Sequence, residues 1–163
     1  MKTTKEQNKK LVERYPFLLP RNRWTDKVSK DYDYSYTELD EMPDGWRIAF
    51  GRDICEEIRD ELERAGYLDR YRITQIKEKY GTLRWYDFGH TERIGREIIP
   101  KYEKISAHTC ICCGKPATRI TLGWISPYCD NCVPKGKNGE TTGYYKSIPI
   151  EEYYQECTDE SEN

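Results

Sequence analysis

Cys110-Ile111-Cys112-Cys113-Gly114 and Pro127-Tyr128-Cys129-Asp130-Asn131-Cys132 decide how this 163-residue chain is read. Each holds a Cys-x2-Cys pair, and fifteen residues separate Cys113 from Cys129. Such a pair is a tight turn that aims two thiolates at one point. Two pairs close a tetrahedral zinc site once the chain between them doubles back. Gly114 and Pro116 supply the turn after the first pair. The expectation is a zinc ribbon or knuckle over residues 109–135, with Cys110, Cys113, Cys129 and Cys132 holding a structural Zn2+. The usual two-residue gap selects Cys113 rather than Cys112 as the partner of Cys110. His108 lies two residues before Cys110, and with four thiolates already available it is expected to cap the preceding helix or support a ligand rather than replace one.

Around that module, 36% hydrophobic against 34% charged residues predicts a small core for the length, with the 14 tyrosines supplying part of it. No stretch approaches the roughly 20 apolar residues of a membrane span, and Met1-Lys2-Thr3-Thr4-Lys5 has no apolar segment of a signal peptide. A cytoplasmic chain with reduced thiols is expected, which favours metal ligation over disulfides among its seven cysteines. Cys55 falls in an apolar helical stripe as a small core residue, and Cys157 in the polar tail.

Charge is uneven along the chain. Residues 69–104 carry 9 basic and 6 acidic side chains, while residues 141–163 carry 1 and 6. That basic surplus is too small to make duplex DNA the default partner.

Thr3-Thr4-Lys5-Glu6 reads as a capping box with Thr3 as N-cap, opening a helix that Pro16 ends near Tyr15. Tyr15 to Pro20 is expected to lie extended as an apolar strap. Residues 21–41, with Trp24, Tyr32, Tyr34 and Tyr36, suit a short edge strand or an ordered loop. After Pro43, Asp44 is placed to cap a helix in which Trp46, Phe50, Ile54, Ile58 and Leu62 recur at every fourth position until Gly66. Its opposite face alternates carboxylates with arginines and reads as solvated.

Tyr71 to Phe88 reads as a β-hairpin broken at Tyr80-Gly81, with Leu83 and Trp85 toward the helix. Lys77, Lys79 and Arg84 then gather near Tyr80 and Tyr86, either as a phosphate- or nucleic-acid-contacting patch or as an ordinary solvated face interrupted by Glu78 and Asp87. Thr91 caps a further helix with Ile94, Ile98, Tyr102 and Ile105 as its stripe and a kink or break at Pro100. The fold class is therefore α+β: a small helix and β-hairpin body with a C-terminal four-cysteine ribbon. The organisation is an N-terminal helix and aromatic segment at 1–41, a body at 42–108, the ribbon at 109–135, and an irregular acidic tail at 136–163. In that tail the tyrosine pairs and Ile148-Pro149-Ile150 dock on the body and the end from Glu156 is disordered.

Asp44-Gly45-Trp46, then Lys77-Glu78-Lys79-Tyr80-Gly81-Thr82-Leu83-Arg84-Trp85-Tyr86, then Cys110 to Gly114, with Trp124 and Cys129 to Cys132, form an ordered series more specific than any single motif. In this the chain resembles a group of tailed-phage and prophage zinc-ribbon proteins over roughly residues 42–132. The resemblance implies an accessory phage protein acting in the bacterial cytoplasm and carries no established activity with it. The cysteine finger is also similar to that of the DksA/TraR regulators of RNA polymerase, whose long helical hairpin with an acidic tip has no counterpart here.

Three function classes follow. The first is a non-enzymatic binding module whose partner is a host protein of transcription or antiviral defence, because four thiolates leave no open coordination position and tyrosine and arginine suit contact surfaces. The second is nucleic-acid binding through Lys77, Lys79, Tyr80, Arg84, Arg119 and Trp124. An enzyme ranks last. The His-x-Glu of zinc deaminases, histidines between the cysteine pairs, a Gly-rich phosphate loop and a nucleophile elbow are all missing from the sequence.

Overall fold

A computed structural model describes residues 3–159, with side chains through Gln155. Its spine is the helical stretch 44–65, formed by α2 (Asp44–Trp46), a π-helical turn (Arg47–Gly51) and α3 (Arg52–Ala65) in unbroken succession. Trp46, Phe50, Ile54, Ile58 and Leu62 all face the core, none more than 4% exposed. A strict four-residue spacing would rotate an apolar row off one face of a regular α-helix. The π turn takes up extra residues and keeps the row aligned. Gly66 ends the helix in the left-handed conformation, φ 74°. Asp44 is the first helical residue rather than the cap, and Pro43 occupies the cap position.

Packed beside this spine is the hairpin of β1 (Arg72–Lys79) and β2 (Thr82–Phe88), antiparallel with Ile76 opposite Trp85 and Lys79 opposite Thr82. Tyr80 and Gly81 both take positive φ, 52° and 78°, the geometry of a two-residue turn that follows the strand twist. Leu83 and Trp85 are buried, as the alternation predicts. The next helix runs through a π turn (Ile94–Ile98) into α4 (Ile99–Ala107). Pro100 lies in its first turn without ending it, because the π turn before it absorbs the missing backbone donor. Ile105, expected in the buried stripe, is 40% exposed.

Several N-terminal expectations are corrected. In α1 (Lys5–Arg14) the N-cap is Thr4, and its capping box closes with Gln7 rather than Glu6. Thr3 instead hydrogen-bonds to buried Asn8, whose Nδ2 donates to the Tyr34 carbonyl. The strap is a short 3-10 turn, Pro16–Leu18, with Phe17 and Leu18 in the core. Residues 21–41 form an ordered loop ending in a second 3-10 turn, Glu38–Glu41, with no strand.

The charged face of α3 is not simply solvated. α1 and the helix leading into α4 flank it, and its carboxylates join them. Glu56 accepts from Arg14 and from Tyr15, and Glu57 from Lys101 and Tyr102. Glu61 is wholly buried and accepts from Arg64, Thr91 and Arg93.

Beyond the body, β3 (Arg119–Thr121), β4 (Ser126–Tyr128) and β5 (Ser147–Pro149) form a sheet in the order β4-β3-β5, followed by α5 (Ile150–Asp159). The stretch expected to be irregular thus contributes an edge strand and a helix. Pro149 is tolerated because it stands on an edge strand. Helix α5 carries the backbone past Glu156, where a disordered end was expected. The side chains from residue 156, Cys157 included, and residues 160–163 lie outside the described residues. Among the described residues no helix is long and apolar enough to cross a membrane.

Candidate metal centre

The two cysteine pairs sit on matching turns. After the first, the Gly114 N–H donates to the Cys110 carbonyl at 3.0 Å, with Gly114 at φ 78°. After the second, the Cys132 and Val133 N–H groups donate to the Cys129 carbonyl at 3.1 and 3.0 Å. The β3–β4 hairpin brings one turn opposite the other. As a result the Sγ atoms of Cys110, Cys113, Cys129 and Cys132 all lie within 4.8 Å of one another, with Cys113 and Cys129 3.6 Å apart. A tetrahedron of thiolates around an ion at 2.3 Å has sulfur–sulfur edges of about 3.8 Å, so these four residues fit such a site.

Protonation points the same way. Burial alone pushes the Cys129 thiol up. Hydrogen bonds from Cys132 and Cys113, and from the backbone N–H groups of Cys132 and Asn131, outweigh it and bring the group down to about 7. Cys132 is driven the other way, first by its hydrogen bonds to Cys129 and Cys113 and then by burial. Four sulfurs so close hold their protons in competition, and a cation relieves that competition by replacing them. Cys112, exposed on the turn, stays outside the group. His108 also stays outside it: it caps the C-terminus of α4 and its ring lies 5.0 Å from that of Tyr154.

The body holds the first knuckle through the Asp44-Gly45-Trp46 segment. The Gly45 N–H donates to the Ile111 carbonyl at 2.9 Å, and the Trp46 indole N–H to the Thr109 carbonyl at 2.9 Å. A Cβ on Gly45 would stand 2.2 Å from the Cys110 carbonyl oxygen, so only glycine permits this approach. Sequence reasoning treated Gly45 as part of a motif but had no signal for its role as the seat of the metal loop.

The ribbon also reaches the hairpin turn. Ile125 and Pro127 pack against Gly81, and the Trp124 indole N–H donates to Glu78 at 3.2 Å. Lys77, Lys79 and Tyr80 thereby share a groove of about 480 Å³ with Leu122, Trp124 and Ile125. The Lys77 ammonium stands 5.5 Å from the Tyr86 ring centre and that of Lys79 5.7 Å from Tyr80. Tyr80 and Trp124 are 70% and 63% exposed.

Two predicted contact residues fall outside this groove. Arg84 is opposite Lys77 in the hairpin and donates to Thr82 and to the Leu83 carbonyl. Arg119 is committed to β5, donating to the hydroxyl and carbonyl of Ser147, both at 2.8 Å. Comparison with known protein families, curated proteins and solved structures finds no match to this chain.

Proposed function

We propose that the chain is a zinc-stapled binding module without enzymatic activity, of the phage accessory type that its motif series resembles, acting on a host protein in the bacterial cytoplasm. The observation that carries this reading is the four-sulfur cluster, since a four-thiolate site is complete and leaves no position for water or substrate. Zn2+ bound there supplies a rigid cross-link between the two knuckles. Cys110 and Cys113 tie that cross-link to the spine through Gly45 and Trp46, and Cys129 and Cys132 tie it to the sheet. The position of Trp124 beside the hairpin turn then follows from a stiff scaffold, which suits a contact surface by lowering the entropy lost on binding. Exposed Tyr80 and Trp124 are the residue types that anchor protein interfaces.

Nucleic acid is the second reading, favoured by one observation: Lys77 and Lys79 each lie over an exposed tyrosine, a pairing that holds both a phosphate and a base.

The test is affinity purification of the tagged chain from nuclease-treated lysate, with metal content measured on the same sample and a Lys77→Glu/Lys79→Glu double variant run beside the wild type. One metal per chain and one stoichiometric protein, lost from a variant that melts normally, is the expected result. A gel shift that weakens steeply with salt and disappears in the variant moves the assignment to nucleic acid. A protein retained equally by both forms removes the groove from the reading.

A further inference from the structure

A cavity lined by none of the cysteines has no part in the reading above. It encloses about 630 Å³ between the loop after the Pro16–Leu18 turn and the open end of the hairpin. That volume lies within the range of small-molecule sites. Its floor is apolar, with Phe17 and Ile73 from the core cluster. At its rim stands Phe88, the last residue of β2, 72% exposed. Four arginines, Arg21, Arg23, Arg70 and Arg72, line it, against Asp26, Glu38 and Asp69.

These arginines divide into two kinds. Arg72 makes a bidentate pair with Asp26 at 2.7 and 3.0 Å, and Arg21 donates to the Asp26 carbonyl at 2.8 Å. Asp26 itself holds a positive φ of 56°, and the Asn22 side chain accepts from the Trp24 and Thr25 N–H groups. Arg72 therefore locks the loop wall to the hairpin, and Arg21 holds the loop's own shape around Asp26. Arg23 and Arg70 lock nothing. Among the described residues the Arg23 side chain makes no hydrogen bond or ion pair and meets only the longer-range charge of Glu38, and the Arg70 guanidinium lies over the Tyr67 ring, 5.6 Å from its centre, without a carboxylate partner. Both are exposed at the mouth of a cavity whose wall is already built.

We propose that this cavity binds a free nucleotide, its base against Phe88 and its phosphate between the guanidinium groups of Arg23 and Arg70. Guanidinium groups match phosphate oxygens two at a time, and an exposed phenyl ring offers a face to any base. The apolar floor gives a flat ring a dry surface, which an anion site alone does not need. Glu38, pushed up to about 7 first by burial and then by Glu41 against the opposing charge of Arg23, adds a carboxyl group able to donate as well as accept toward a base edge. Trp24, on the same locked loop and 95% exposed, supplies an optical reporter close to the mouth.

The experiment titrates AMP, GMP, CMP and UMP in turn into the full chain, followed by calorimetry and Trp fluorescence, to about 1 mM, the weak end of specific recognition. Inorganic phosphate, adenosine and a single-stranded oligothymidylate are the comparison ligands. The expected result is saturable binding of at least one mononucleotide. That binding weakens by about tenfold or more in Arg23→Ala/Arg70→Ala, as loss of charge-assisted contacts requires, and weakens also in Phe88→Ala. Because these three side chains are exposed and none locks the loop, both variants are expected to melt like the wild type, and melting is measured alongside.

Four outcomes overturn the proposal. The first is no saturation by any of the four nucleotides, and the second is affinity unchanged in both variants. The third is phosphate or adenosine binding as tightly as the nucleotide. In the fourth, the oligothymidylate displaces a mononucleotide at lower concentration, which assigns the cavity to a nucleic-acid strand.

Discussion

From Val12 to Tyr102 the body packs its buried apolar side chains into one cluster, whereas the ribbon buries Ile120, Ile150 and its own Cys110 and Cys129 outside that cluster. The body is held by burial of apolar area, which is spread over many residues and tolerates the loss of any one contact. So few apolar groups cannot offset the entropy of ordering the ribbon, and small modules of this kind depend on a cross-link or a metal. The two regions are nevertheless joined where the Gly45 N–H and the Trp46 indole N–H donate to the Ile111 and Thr109 carbonyls. Ile125 and Pro127 against Gly81 add a smaller contact at the hairpin turn, so stability in one region is felt in the other mainly through the seam at Gly45 and Trp46.

Metal removal should break the comparison most sharply. Chelation, or Cys132→Ser, withdraws metal-coupled folding on the order of 10 kcal/mol. In hydrogen exchange, amides of residues 109–149 should lose protection while those of α3, β1 and β2 keep theirs. Equal loss in both regions would make them one cooperative unit, and unchanged protection in the ribbon would remove the metal from its account.

Gly45→Ala tests the seam. With the Cys110 and Ile111 backbone 2.2 to 2.6 Å from the new Cβ, the knuckle must move, at a cost of about 3 kcal/mol. Thermal melting measures the loss. A variant within error of the wild type would show that the ribbon docks elsewhere.

Glu61→Gln probes the body alone, with an expected loss of about 2 kcal/mol as charge-assisted bonds are replaced. Its pH dependence sharpens the point. The Arg64 hydrogen bonds, opposed by burial and helped by Thr91 and Arg93, hold the Glu61 carboxyl down to about 2. A depressed carboxylate stabilises the fold fully above its ordinary value of 4.5, and that contribution is lost as pH falls toward 2. Denaturant titrations between those limits should show a shallower decline in the variant than in the wild type.

Trp124→Ala should have the smallest effect on stability, below about 0.5 kcal/mol, since the side chain is largely exposed. A larger drop in melting temperature would mean that Trp124 bonded to Glu78 is part of the seam rather than of a contact face.

How legible all this was depends on the range of the interaction. The spine, the hairpin and its Tyr80-Gly81 turn follow from periodicity and from local conformational preference, so Trp46 to Leu62 and Leu83 and Trp85 were placed correctly from sequence. The four clustered cysteines were equally legible, because thiolate spacing is a local constraint. The N-cap was misplaced by one residue because Thr3 and Thr4 are locally equivalent, and Thr3 is taken by Asn8 through a tertiary contact. Strand β5 was missed because three residues containing proline have no strand signal of their own. Only pairing of Ile148 with Ile120 makes them a strand.

By itself, the amino-acid sequence determined the α+β class, the apolar row of the spine, the register-setting hairpin turn and the set of thiols that can share an ion. Each of these is encoded within a few residues by periodicity, φ preference or ligand spacing. Tertiary structure alone decided that Gly45 seats the first knuckle, that Glu61 is buried, that Arg119 serves β5, and that two of the four arginines lining the Phe17–Phe88 cavity have no carboxylate hydrogen-bond partner. Those outcomes depend on which distant backbone or side chain arrives within hydrogen-bonding reach, and no local pattern carries that information.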